Sequence, residues 1–313
     1  MNATRKPVAK GTFSQAQVEL ATGFSREVLR KWELRFGFPL PTRDARARRL
    51  YSHADVERLQ LIKQLLRAEH RPREVVPLSL KALGHVLAET TPVLACAPCP
   101  LATELLEKLN SDSPTALDDY LKDRLSSVGL EAFALHDMPV FNAAVGEAWV
   151  SGSLGIYAEH LYTTSVRTIV QEQIARLQPS PGAPRVLLTT PPGEVHGLGI
   201  LALHATLAAH LAQCIDLGLQ TPAQSVVEAV QRWDVAAVCI SVAMSFAPNN
   251  AKVYVATLRQ LLPPHCALWV GGQGARPIAD SIPAGVVVFE TIGAAIEAFQ
   301  ALPTLAVSKT ASI

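Results

Sequence analysis

Hydrophobic positions follow two different rhythms along this chain, and the change comes near residue 180. Before it, apolar residues recur every three or four positions, as in Val56, Leu59, Ile62, Leu65 and Leu66, which is the spacing of one buried helix face. After it, short continuous apolar runs such as Val186-Leu187-Leu188 and Val238-Cys239-Ile240 alternate with longer amphipathic stretches. Short apolar runs separated by helices are the mark of strands buried on both faces and joined by crossover helices. Strands are predicted at 185–190, 212–217, 235–241, 266–271 and 285–289, and helices at 196–211, 222–232, 249–262, 276–281 and 291–301. That alternation predicts an α/β doubly wound, five-stranded parallel sheet of Rossmann-like type.

The helical part divides further. Residues 1–11 read as disordered; Ser14 caps a helix at 15–21, and Ser25 caps a second at 26–36 that Gly37 and Pro39 end. Two short helices joined by Thr22-Gly23-Phe24 form a helix-turn-helix. A basic loop at 41–51 follows, then Ser52 caps a helix at 53–68, and one more helix is predicted at 72–83. Residues 86–100, rich in Pro, Thr and Ala, read as a linker, and 178–184 as a second one. Between them, helices at 101–109, 114–128, 130–150 and 154–177, separated by short breaks, predict a four-helix bundle in which Pro139 kinks or splits the third helix. The tail from about 303 is expected to fray. The expected domains are 1–78, 100–178 and 184–302.

Charge sharpens this division. Residues 1–74 carry sixteen Lys/Arg against eight Asp/Glu, whereas the remainder carries twelve against nineteen, so a net charge of +1 hides a basic module on an acidic body. Such asymmetry points the amino-terminal module at a polyanion. No signal-like start and no long uncharged apolar run occur, so a soluble, cytoplasmic protein with no membrane partner is expected. Five scattered cysteines fit reduced thiols, and Cys96-Ala97-Pro98-Cys99 reads as a chance pair in the linker.

The candidate chemistry sits at strand ends. Glu194-Val195-His196-Gly197-Leu198-Gly199 follows the first strand of the sheet, where open α/β sheets place ligands. A carboxylate two residues before an imidazole can take the ring's other N–H, fixing the tautomer and raising its basicity toward a metal.

Two resemblances add to this reading. Ser25-Arg26-Glu27-Val28-Leu29-Arg30-Lys31-Trp32-Glu33-Leu34-Arg35-Phe36-Gly37, followed by Arg49-Leu50-Tyr51-Ser52, resembles the winged helix-turn-helix of MerR-type regulators. It implies a recognition helix presenting Ser25, Arg26 and Arg30 to base edges of double-stranded operator DNA, with Arg43, Arg46, Arg48, Arg49 and Tyr51 on phosphates. Trp32 and Leu29 are expected in the core, and Glu33 and Arg35 are left open between surface ion pair and function. The family's usual wing glycine is absent; Arg46-Ala47-Arg48 stand in its place.

The second resemblance spans about 100–300. Trp149, nine residues, then Glu159-His160 is similar to the W-x9-E-H signature of the helical cap in cobalamin-binding photoreceptor repressors of the CarH/LitR type, and Glu194-x-His196-x-x-Gly199 is similar to their corrinoid-ligating motif. Ser241-Val242-Ala243 and Gly271-Gly272 stand where cobalamin domains carry S-x-L and a Gly pair for the nucleotide tail. The resemblance implies adenosylcobalamin as cofactor, its cobalt held by His196, its tail in a slot lined by Ser241, Gly271 and Gly272, and its upper face under Trp149, Glu159 and His160. The light-sensing members carry a histidine after the cap tryptophan; here that residue is Val150, which has no donor atom, so either another histidine serves, His160 or more remotely His136, or the photoproduct hydrates, or this chain does not use that light cycle. The expected function is a transcriptional regulator, a repressor rather than an enzyme, controlled by adenosylcobalamin and light and acting as a homo-oligomer, dimer or tetramer. Two alternatives stand beside it: the same scaffold without cobalamin, answering to a partner protein or another small ligand, and a corrinoid methyl carrier.

Overall fold

The fold is taken from a computed structural model, which describes residues 12–44, 47–67, 70–90, 99–113, 115–150 and 153–303. The stretches expected to be disordered at 1–11 and frayed beyond 303, the middle of the first linker, Cys96 and Arg46 lie outside the described residues. The chain forms two compact units, Met1–Pro98 with Gly146–Gly155, and Cys99–Val145 with Ile156–Ile313.

In the first unit, β1 (Thr12–Ser14) leads into α1 (Gln15–Thr22) and α2 (Arg26–Phe36). Ser14 and Gln17 close a reciprocal capping box, Ser25 Oγ accepts from the Val28 N–H, and Gly23 and Gly37 end the two helices at φ +74° and +70°. These left-handed positions cost a side-chain-bearing residue about 1–2 kcal/mol, which is why glycine stands at both. The basic loop folds as a wing: β2 (Thr42–Arg43) and β3 (Arg49–Ser52) pair antiparallel, and β3 also pairs with β1. Helices α3 (His53–Arg67), α4 (Pro72–Val75) and α5 (Leu80–Thr90) complete the unit. The single helix expected at 72–83 is two helices, because Pro77 supplies no N–H and Ser79 Oγ instead accepts from the Ala82 N–H at 3.3 Å, starting α5 afresh. Leu29, Trp32, Tyr51, Leu59, Ile62, Leu65 and Leu83 form its core, and Trp149 packs half-buried against the same cluster.

The second unit begins with helices α6 (Pro100–Leu109) and α7 (Ala116–Val128), followed by α8 (Leu130–Ala132) and α9 (Met138–Val150), then α10 (Ile156–Ile174). The third predicted helix is interrupted just ahead of Pro139. A π turn at Phe133–Asp137 joins α8 to α9, with the Met138 N–H reaching back to the Phe133 carbonyl, so the change of register falls just before the residue that cannot donate. Arg124 forks onto the buried Asp137 carboxylate of this turn at 2.9–3.1 Å.

The sheet comprises β4 (Arg185–Thr189), β5 (Gln213–Asp216), β6 (Ala237–Ser241), β7 (Ala267–Gly271) and β8 (Val286–Val288), in the order β5-β4-β6-β7-β8, with every pair parallel. Alternate residues of β4 serve opposite faces. Val186 and Leu188 pack with α11 (Leu198–Ala209) and α14 (Ile292–Gln300), while Leu187 packs with α12 (Ala223–Trp233) and α13 (Pro248–Leu261). The expected helix at 276–281 is a 3-10 turn. Chain order reverses between β4 and β6, so their carboxyl ends border the crevice where ligands enter such sheets.

The loops at this edge are locked together by backbone. The Val242 N–H donates to the Gly271 carbonyl, and the Gly274 N–H to the Val242 carbonyl, both at 2.9 Å. A Cβ on Gly272, which sits at φ +90°, would stand 2.4 Å from the Val242 oxygen, and one on Gly274 would stand 2.2 Å from the Ala243 oxygen. The nearest atom to a Cβ on Gly271 would be 3.9 Å away. Gly272→Ala should therefore destabilise the protein by about 2–4 kcal/mol, from strain and backbone collision together, whereas Gly271→Ala should change stability by less than about 1 kcal/mol. Urea unfolding followed by circular dichroism checks both; equal losses would show that the edge is not packed as described.

Candidate functional site

At the carboxyl edge of the sheet the chemistry is built around one buried carboxylate. Glu194, in the loop between β4 and α11, has only 1% of its side chain exposed, whereas His196 has 58%. Glu194 Oε1 accepts from the His196 backbone N–H at 2.9 Å and lies 2.6 Å from His196 Nδ1; its Oε2 accepts from the Ala243 N–H at 2.9 Å. Burial by itself raises the carboxyl pKa, but the bonds from the His196 ring, the His196 N–H and the Ala243 N–H outweigh it and hold the group below its ordinary value. An ionised acceptor on Nδ1 places the ring proton there, so Nε2 carries the lone pair on the exposed side of the ring. Ser245 Oγ lies 3.1 Å from Nδ1 and 3.5 Å from Nε2.

Thr190 braces this loop. Its hydroxyl donates to the Glu194 carbonyl at 3.0 Å and accepts from the Gln220 N–H at 2.9 Å, tying the β4 loop to the one after β5. Gly199, in the first turn of α11, lies against Ser241 at the end of β6; a Cβ there would meet Ser241 Oγ at 3.1 Å. The structure thus brings Glu194, His196, Gly199 and Ser241 together, with Gly271 one strand further along the edge. Gly272 must be glycine for the Val242 backbone alone, which a Cβ would strike.

Glu159 and His160 lie on α10 of the same unit. His160 Nδ1 is 2.9 Å from Glu159 Oε2, and Thr163 donates to the other oxygen at 3.0 Å. α10 packs beside α11, and Arg167 reaches the loop before it: a Cβ on Gly197 would come within 3.5 Å of the Arg167 guanidinium. Trp149 belongs to the first unit, where it packs against the core of that unit. Sequence reasoning missed the Ala243 N–H, Thr190, Ser245 and Arg167; none carries a motif signal.

The basic residues meet in the first unit. Arg26, Arg30, Arg43, Arg48 and Arg49 line one groove of about 600 Å³ between α2 and the wing. Ser25, Arg26 and Arg30 are exposed at the amino-terminal half of α2. The wing residues have protein partners: Arg48 Nε contacts Asp44 at 2.7 Å, Arg43 donates to the Ala47 carbonyl at 3.1 Å, and Arg49 contacts Glu33 at 2.5 Å. Tyr51 is fully buried, and its hydroxyl donates to Gln15 Oε1 at 2.6 Å. Ala47 holds the wing tip at φ +59°, a left-handed conformation that glycine adopts without strain.

Among the described residues no cluster of three or more His, Cys, Asp or Glu side chains is placed to hold a metal ion, and no helix is long and apolar enough to cross a membrane. The described cysteines Cys99, Cys214, Cys239 and Cys266 are free thiols, and burial pushes Cys214 up to about 12 and Cys266 to about 11.

Comparison with known proteins agrees with both halves. Residues 13–76 match the MerR HTH family of regulatory proteins, and residues 184–302 match the B12 binding domain. Among curated proteins, the HTH-type transcriptional repressor CarA of Myxococcus xanthus is 29% identical over 82% of this chain and 84% of its own length. The HTH-type transcriptional repressor CarH of the same organism is 30% identical over 82% of this chain and 87% of its own. Among solved structures, a monomethylamine corrinoid protein of Methanosarcina barkeri aligns with a TM-score of 0.49 at 14% identity, over 63% of this chain and 94% of that one, too distant to add weight. Spanning both modules in one colinear match, this chain belongs to the family of HTH-type transcriptional repressors that contains CarA and CarH.

Proposed function

We propose that this chain is a repressor that occupies double-stranded operator DNA under the control of adenosylcobalamin and light. The observation that carries the cofactor half is His196: an exposed imidazole whose Nδ1 is tied to a buried, ionised Glu194 at the switch point of the sheet. The residues fit the group. A corrinoid brings four equatorial nitrogens of its own, so the protein need supply one axial donor and not a ligand cluster.

His196 would hold the cobalt through Nε2, with Glu194 fixing the tautomer and raising the donor strength of the ring. Ser241, Gly199 and Gly271 are the small residues beside it that would admit the nucleotide tail, with Gly272 shaping the loop at its edge. Glu159 and His160 are the polar pair proposed for the sugar or base of an adenosyl group, and Trp149 is the proposed apolar lid by its place in the W-x9-E-H motif. When bound, adenosylcobalamin supplies a cobalt–carbon bond that light can cleave. Val150 has no donor atom, so the proposed response to light proceeds without a ligand from that position.

Control follows from linkage. The ligand shifts the chain toward the DNA-binding assembly by the difference in its affinity for the two states. A homo-oligomer, dimer or tetramer, would then engage several half-sites at once and gain affinity by avidity. The domains proposed for these roles are 1–78, 100–178 and 184–302, and the compartment proposed is the cytoplasm.

Purified protein mixed with adenosylcobalamin should bind it with an absorption spectrum in which imidazole replaces the ligand's own base, and His196→Ala should lose that spectrum and at least ten-fold in affinity. A wild-type protein that stays colourless would favour the same scaffold answering to another signal; an unchanged spectrum in the variant would refute ligation by His196. Illumination of the bound protein with green light, followed by size-exclusion chromatography, tests the light response.

The DNA half is tested by selecting duplexes from a random pool. The selected duplex should bind with an affinity that falls steeply with salt, and Arg30→Ala should relax base preference at one position of the site by about 1–3 kcal/mol. Loss of affinity that is uniform over all sequences would move Arg30 from base reading to phosphate contact.

A further inference from the structure

We propose that Glu33 is a positioning residue that clamps the wing to the recognition helix through Arg49, so that Arg49 acts as a strut rather than as a phosphate contact. This rests on the DNA-binding reading and refines it.

Four observations carry the assignment. Arg49 Nη1 stands 2.5 Å from Glu33 Oε2, across sixteen residues of sequence, and joins the first residue of β3 to the last turn of α2. The two side chains are 21% and 27% exposed, so solvent screens the pair less than it screens an ordinary surface contact. By contrast, Arg48 is 69% exposed and its partner Asp44 is four residues away in the same hairpin, so that pair shapes the wing tip without fixing where the wing lies. A second side-chain hydrogen bond, Tyr51 to Gln15 on α1, also ties β3 to the helix-turn-helix. Together, Arg49–Glu33 and Tyr51–Gln15 hold β3 at two points, one on each helix of the motif.

The consequence concerns register. Arg26 and Arg30 on α2 and Arg43 and Arg48 on the wing line one groove, and a duplex can engage both sets only when helix and wing keep a fixed separation. Glu33, an acidic residue paired with one of the arginines that line the groove, opposes binding of a polyanion by its charge. Its contribution is to hold the neighbouring cation where it bridges two elements. Arg35, beside it in sequence, instead stacks on Phe36, with its guanidinium carbon 5.3 Å from the ring centroid, and takes no part in the clamp.

The two roles for Arg49 predict opposite signs. If Arg49 served phosphate, removing the Glu33 charge would release it, and Glu33→Gln would bind DNA more tightly with a steeper dependence on salt. If Glu33 clamps the wing, Glu33→Gln should bind the duplex selected by the wild-type chain about ten-fold more weakly, with the slope of log affinity against log salt unchanged. Arg49→Glu should lose still more, and the exchanged pair Glu33→Arg with Arg49→Glu, which keeps the net charge, should recover most of the Arg49→Glu loss. Amide exchange at Leu50 and Tyr51, read without DNA, should speed up at least ten-fold in Glu33→Gln and return in the exchanged pair. Tighter binding by Glu33→Gln, or wing amides that exchange at the wild-type rate, overturns the clamp. Failure of the wild-type chain to select any duplex sinks the DNA-binding reading instead and leaves the exchange measurement to decide the clamp alone.

Discussion

A single buried carboxylate organises the edge of the sheet. Glu194 accepts from one N–H of its own loop, from the imidazole two residues on, and from the Ala243 N–H of the loop after β6. A carboxylate this deeply buried is tolerated only when its oxygens are saturated by donors. The same three bonds therefore satisfy the charge, tie two loops across the switch point, and orient His196. Position and chemistry are not separable here. A ring whose tautomer is set by an anion that is itself locked into two loops has little freedom to turn, and that rigidity is what an axial ligand needs. The glycines at 272 and 274 extend the lock, because they let the next loop press its backbone onto Val242 and Ala243.

A corresponding principle operates in the amino-terminal unit, with weaker materials. The wing is the thinnest part of that unit, built from strands of only two and four residues. Its place is set by the buried Tyr51 ring, by the Tyr51–Gln15 hydrogen bond and by the Arg49–Glu33 pair. Arginine suits such a bridge because its planar guanidinium keeps its charge and presents several donors. The carboxylate partner holds the Arg49 guanidinium above its ordinary pKa alongside Tyr51, whose side chain contributes the larger share.

Much of this architecture is legible in the residues alone. The Ser14–Gln17 box, the Ser25 cap and the glycines at 23 and 37 are local signals, and they delimit α1 and α2 because local chemistry decides them. The five strands are legible because a parallel strand buried on both faces must be apolar throughout. The Glu194–His196 pairing is legible because both partners lie within one loop. What escapes the sequence is long-range pairing between groups without a motif. Nothing in Glu33 names Arg49 rather than Arg35, and nothing in Tyr51 names Gln15. The Ala243 N–H is invisible as a ligand for Glu194 because every residue but proline has one. Gly272 reads as a ligand-slot residue in the sequence, whereas the demand that its φ and the Val242 oxygen also make for glycine carries no sequence signal. Pro139 reads as the break itself, but the register changes in the π turn at Phe133–Asp137 just before it, where no proline or glycine marks the place.

The charge arrangement at the DNA groove bears on how such a regulator can be controlled. Five arginines line the groove, but Glu33 and Asp44 each pair with one of them, so the groove presents less positive charge than its composition suggests. Each phosphate contact forgone removes about one counterion from the binding equilibrium and lowers the affinity of a single domain. For a protein whose ligand is proposed to act by changing its assembly, weak individual domains are an advantage. If one domain held DNA tightly, assembly would add little to occupancy. When each domain binds weakly, the gain from linking several is large, and a modest shift in the assembly equilibrium becomes a large change in occupancy. Glu33 and Asp44 therefore commit two of the five arginines to the shape and place of the wing, and occupancy that depends on linking several domains is what gives the proposed ligand its leverage.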